Sequence, residues 1–76
     1  MTDRERELGL ILKDMYEKAP RDCMVAMIHL FGIKYSTELD DRHMSKAEIL
    51  KAAGMKSSYT SEISKGIRLA AFVEIK

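Results

Sequence analysis

Apolar positions fall into three blocks along the chain, separated by short polar connectors. In the first block Leu8, Ile11, Leu12 and Met15 recur at intervals of three and four, and Ala19 extends the row. That period puts them on one helix face and predicts an amphipathic helix over residues 3–18. Thr2 stands where a cap belongs. Asp3, Glu5 and Glu7 occupy the first two turns, where negative charge favours the positive helix end, and Lys13 and Lys18 lie toward the other end. Gly9 costs such a helix about 1 kcal/mol relative to Ala, a cost that a close helix contact would explain.

Pro20 ends this helix and can open the next, because its φ suits a first turn. The second block contains Met24, Val25, Ala26, Met27, Ile28, Leu30, Phe31 and Ile33. It predicts a helix from Pro20 or Arg21 to Leu39 with little polar surface on its middle turns. A helix apolar nearly all round is either buried or paired with another surface. Two readings follow: a central core helix, or a homodimer or partner surface carried by Met24, Met27, Ile28 and Phe31.

A polar connector, Asp40-Asp41-Arg42-His43, leads into the third block. Ser45 followed by Glu48 spells a capping box, and Ile49, Leu50 and Ala53 share the face of a helix over about 46–53. Gly54 sits where a helix stops on a residue of positive φ, and Met55 follows as an apolar plug. Ser57 and Ser58 offer a second N-cap, and Tyr59 and Ile63 are one turn apart on the next helix. Helix, Gly turn and helix within about twenty residues make a helix-turn-helix at 45–65. Past Gly66 two patterns compete. Ile63, Ile67, Ala70 and Val73 keep helical spacing, whereas Ile67, Leu69, Ala71, Val73 and Ile75 alternate as a strand would. A helix to about Phe72 is favoured, with a short C-terminal strand as the other outcome. The expected architecture is a small all-α, four-helix domain occupying residues 1–76 as one unit.

The third block resembles the helix-turn-helix of the phage-repressor and Cro-like DNA-binding family. Met44, Ser45, Glu48, Ile49, Gly54, Met55, Ser58, Ser61, Ile63, Gly66 and Arg68 stand in register with that family's pattern without a gap, over residues 44–68. Three positions depart from it. Leu50 replaces a small Ala, Lys46 replaces a Gln, and Thr60 replaces a buried Ile or Val. The resemblance implies that the second helix enters the major groove by its N-terminal end. Ser57, Ser58 and Glu62 would then face base edges. Lys56, Tyr59, Ser61 and Lys65 would lie near the backbone, with Lys46 and Arg68 as further phosphate contacts. It also implies a transcriptional regulator of prokaryotic or phage type that acts on double-stranded DNA as a homodimer.

Charge distribution supports that expectation more than net charge does. The chain carries only +1. Residues 1–41 hold six Lys/Arg against nine Asp/Glu, a balance of −3, while residues 42–76 hold seven against three, a balance of +4. The basic half contains the helix-turn-helix, as a DNA-facing surface would require. The readers themselves are plain. The chain has no Asn or Gln, so the bidentate contact to adenine is missing, and Ser discriminates poorly between bases. Few cations per copy predict weak, salt-sensitive binding unless two copies act together. The competing reading is a protein-interaction module that docks through the apolar second helix.

Other functions find little support. His29, His43 and Cys23 are the soft metal ligands, and no second pair stands at zinc-finger spacing. No Gly-rich phosphate loop and no nucleophile elbow occurs. The expectation is a non-enzymatic protein without cofactor, metal or small-molecule ligand. No apolar run reaches the length of about 18 residues that a membrane span takes. The charged N-terminus does not read as a signal peptide, and the single Cys fits a reducing compartment, so a cytoplasmic location is expected.

Overall fold

A computed structural model describes residues 1–75. Among these residues it contains five α-helices and no strand: α1 Asp3–Lys18, α2 Met24–Lys34, α3 Ser36–Leu39, α4 Lys46–Ala52 and α5 Thr60–Leu69. Short 3-10 turns, Arg21–Cys23 and Ser57–Tyr59, lead into α2 and α5. The architecture is all-α, as the periodicity predicts. The count of four becomes five because the predicted second helix breaks at Tyr35, which adopts φ −110° and ψ 23°. Hydrogen bonds from Tyr35 N–H to the Phe31 carbonyl and from Leu39 N–H to the Tyr35 carbonyl carry the chain across the bend. α3 is thus a bent continuation of α2. It places Leu39 in the core with no exposed surface, and it brings Glu38 within reach of Arg4.

Helix α1 packs along α2 and α4, and α5 lies along α2. Leu8, Leu12, Ile28, Phe31, Leu39, Ile49, Leu50 and Ile63 are fully buried where these helices meet. The docking reading for the second helix is therefore corrected at two of its four residues. Ile28 and Phe31 face inward and offer nothing to a partner, and Met24 and Met27 are half-buried. The cause is the closeness of α5. A Cβ on Gly32 would lie 2.6 Å from the Ile63 carbonyl oxygen and 2.8 Å from Gly66 Cα, so the two backbones touch at a pair of glycines. Without side chains between them, α5 covers the face of α2 that would otherwise need another partner. Gly9 plays the same part between α1 and α4, where an added Cβ would meet Ala52 and stand 2.7 Å from the Ile49 carbonyl oxygen.

The expected helix ends hold at α1 and at Gly54. Thr2 Oγ1 accepts from Glu5 N–H at 3.1 Å, and Glu5 Oε1 accepts from Thr2 N–H at 2.8 Å, a complete capping box. Gly54 has φ 72°, and Met55 N–H donates to the Leu50 carbonyl at 2.9 Å while Gly54 N–H donates to that of Lys51 at 3.1 Å. That pair of bonds is a Schellman closure of α4.

One expectation is corrected, and the alternative at the C-terminus falls away. Neither Ser57 nor Ser58 caps α5 with its side chain, because the chain enters through a 3-10 turn and Ser61 Oγ donates to the Ser58 carbonyl instead. The C-terminal strand does not form among the described residues. Helix α5 runs past Gly66 to Leu69 and ends in a turn, with Phe72 and Val73 N–H both donating to the Leu69 carbonyl.

The box predicted at Ser45 is half-made, and the other half crosses the molecule. Ser45 Oγ accepts from Glu48 N–H at 3.2 Å, but Ser45 N–H donates to Glu5 Oε2 at 2.7 Å. Glu5, only 4% exposed, thereby joins the first turns of α1 and α4. The N–H bonds from Thr2 and then from Ser45 hold its carboxyl below its ordinary value of 4.5. A carboxyl depressed on folding lends stability that is complete above its unfolded pKa and vanishes as pH falls through the folded value. Glu5→Gln is therefore expected to melt earlier than the parent at neutral pH and to show a smaller loss of Tm on acidification below pH 4.5. Circular-dichroism melts across that range test it, and equal acid sensitivity of the two proteins would refute it.

Candidate nucleic-acid interface

The turn that Gly54 closes delivers the chain to Lys56, whose ψ of 145° starts the 3-10 turn and sets the direction of α5. Lys56, Ser57, Ser58, Ser61, Lys65 and Arg68 are all exposed. From Ser58 onward, Ser61, Lys65 and Arg68 follow at steps of three or four, so they form one outward row down the helix. The opposite face holds Ile63 and Gly66, both buried against α2. Burial of that face fixes which side chains of α5 point outward.

Two residues expected at this surface are committed inward. Tyr59 is half-buried. Its ring packs at 59° to that of Tyr16, with centroids 6.0 Å apart and hydroxyls 3.4 Å apart, which links the start of α5 to α1. Glu62 Oε2 lies 2.7 Å from His29 Nε2, and Oε1 lies 3.0 Å from Lys65 Nζ. Its side chain is 19% exposed. The Lys65 ammonium, and after it the His29 ring, hold the carboxyl below the usual range. An ionised carboxylate only accepts, so His29 Nε2 carries the proton in this contact. Glu62 thus ties α5 to α2 and is not turned outward to accept from a cytosine amino group.

Lys46 and Arg68 come together although 22 positions separate them. They line a groove with Asp40, Ser64 and Ile67, where the carboxylate of Asp40 offsets one positive charge. Arg68 also lines a second groove with His29, Lys65, Leu69 and Phe72. Arg68 therefore joins the α4 cation to the α5 cation, while Lys56 stands apart at the far end of α5. Such a row holds anions by charge and presents hydroxyls, an arrangement suited to phosphates more than to base edges.

Sequence reasoning missed two residues that shape this surface. His29 sets the posture of Glu62 from a position 33 residues away, and no local pattern announces it. Glu5 holds the start of α4 from 40 residues away, although Thr2-x-x-Glu5 itself spells a capping box. Among the described residues no group of three or more His, Cys, Asp or Glu side chains converges to hold a metal, and no helix is long and apolar enough to cross a membrane.

No curated protein and no solved structure matches the chain significantly. A family model does match, and over residues 4–76, so the likeness reaches through α1 and α2 as well as the helix-turn-helix block: the chain belongs to the family described as HTH-like domain.

Proposed function

We propose that the protein binds double-stranded DNA through the exposed row on α5, as a non-enzymatic regulator of the phage-repressor type acting as a cytoplasmic homodimer. The observation that carries the reading is the outward row Ser58, Ser61, Lys65 and Arg68, with Lys56 and Ser57 at its head, behind a Gly54 turn in an HTH-like chain. In this reading Lys56, Lys65, Arg68 and Lys46 hold phosphates, and Ser57, Ser58 and Ser61 approach the groove. Tyr59 and Glu62 contribute by fixing the helix, through Tyr16 and through His29 with Lys65. Membership of an HTH-like family and the basic balance of residues 42–76 both favour it. The alternative, docking through the second helix, requires an exposed Met24–Phe31 stripe, and the burial of Ile28 and Phe31 weighs against it.

The test is fluorescence anisotropy against a pool of random duplexes across a salt series, with the Lys56→Glu, Lys65→Glu double variant alongside. Binding should weaken steeply with salt. The variant should lose affinity for all sequences, and its log–log salt slope should be shallower by about 4 for the homodimer, roughly one per phosphate contact removed. A folded protein that fails to bind at tens of micromolar and low salt would sink the proposal.

A further inference from the structure

Phe72 is 85% exposed, more than any other large apolar side chain among the described residues. It continues the outward row of α5, because after Ser61, Lys65 and Arg68 the next step of four reaches Phe72. Helix α5 ends at Leu69, yet Ala70 keeps φ −59° and ψ −20°, and Phe72 N–H donates to the Leu69 carbonyl at 2.9 Å. The chain thus makes one more turn in the same sense. Phe72 comes to line a groove with His29, Lys65, Arg68 and Leu69. The walls of that groove are apolar, so Lys65 and Arg68 lend their stems to it and keep their charged ends at the rim. Two neighbouring grooves each hold a carboxylate, Asp40 or Glu74, whereas none lines this one. Glu62 is turned to His29 and Lys65, and Arg68 has no ion pair among the described residues.

We infer that Phe72 is a further DNA contact, and that this groove seats one sugar–phosphate strand, with the ring against a deoxyribose and Lys65 and Arg68 on the phosphates beside it. The inference rests on the DNA reading above and extends its footprint by one helical turn. Charge selects the occupant. An exposed apolar patch marks an interaction site, and a strand of DNA alternates an apolar sugar with an anion, which is what apolar walls under a cationic rim match. A second copy docked on itself here would bring Lys65 and Arg68 of both copies together, with no carboxylate in the groove to meet them. The direction of α5 agrees. A straight helix that enters the major groove by its N-terminal end carries its far end out to the backbone, where contacts position the protein and read no sequence. Phe72 therefore adds affinity without base preference. It also adds the kind of affinity that the few cations of this row cannot, because an apolar contact releases no counterions and does not weaken as salt rises.

Anisotropy on duplex DNA across a salt series, with Phe72→Ala and Arg68→Gln beside the parent, separates the two kinds of contact. Phe72→Ala removes no charge. It should weaken binding by about tenfold for the homodimer, on every duplex alike, and leave the log–log salt slope unchanged. Phe72→Leu should recover part of that loss. Arg68→Gln should weaken binding and make the slope shallower by about 2 for the homodimer. Sedimentation equilibrium of the parent and Phe72→Ala without DNA accompanies the titrations, and the two should associate alike. A parent that binds DNA while Phe72→Ala binds equally well would overturn the inference and leave the DNA reading standing. Loss of self-association in Phe72→Ala would give the ring to a second copy and overturn the inference too. A folded parent that fails to bind DNA would overturn both.

Discussion

Gly66→Ala is expected to destabilise the protein strongly, and Gly32→Ala to do the same, although both substitutions improve helix propensity. A Cβ on Gly66 would press on the His29 carbonyl oxygen and lie 2.8 Å from Gly32 Cα; one on Gly32 would lie 2.6 Å from the Ile63 carbonyl oxygen. The obstructing atoms are backbone, so no rotamer change relieves the clash and the helices must move apart. Helix propensity alone would favour Ala over Gly by about 1 kcal/mol. Forcing extra atoms into a packed contact typically costs about 1–3 kcal/mol, and an immovable backbone puts this site at or beyond the upper end. Separation of α2 and α5 would also loosen the packing around Ile28, Phe31 and Ile63, all fully buried. A net loss of about 2 kcal/mol would lower Tm by roughly 10 °C in a domain of this size. Thermal melts of the two single variants decide the matter. A rise in Tm, as propensity alone demands, would show that the two helices do not meet backbone to backbone.

Phe31→Ala should cost more, about 3–5 kcal/mol, which is the range for removing a buried aromatic ring. Phe31 has no exposed surface, and its ring packs against Tyr35 with centroids 5.3 Å apart at the bend between α2 and α3. Its loss would leave a cavity at the centre and would loosen the bend that turns Leu39 inward. Total stability for 76 residues is expected to be only about 4–11 kcal/mol, so the variant would lose a large share of it. Phe72→Ala provides the contrast, because Phe72 is 85% exposed and its truncation should change the stability of a single copy by less than about 0.5 kcal/mol. Urea titrations at concentrations that keep the protein monomeric compare the two. A small midpoint shift for Phe31→Ala at unchanged slope would contradict the core described above.

The contrast between Phe31 and Phe72 marks where sequence reading stops. The sequence presents both as apolar residues within expected helices, and the Met24–Phe31 stripe reads equally well as core or as docking surface. Its burial depends on a helix some thirty positions later, brought flush by Gly32 and Gly66. Those glycines look alike in sequence to Gly54, yet Gly54 is there for a backbone angle and they are there for the absence of a side chain. The departure at Leu50 resolves in the same way. That residue fills the core completely, and α4 packs chiefly along α1.

The sequence by itself determined what local interactions control. Thr2, the stripe from Leu8 to Met15 and Pro20 delimit α1 as Asp3–Lys18, and Ser45 with Gly54 brackets α4, because caps, turns and stripes act within four or five residues. The same locality made the row on α5 legible: once Ile63 is known to face inward, the helical period settles which neighbours face outward. Only the tertiary structure decided that Ser45 N–H goes to Glu5, that Glu62 turns to His29, and that Ile28 and Phe31 are buried while Phe72 is exposed. Those contacts join residues far apart in the chain. They depend on how closely whole helices approach, a distance that the buried glycines set and that no local pattern encodes.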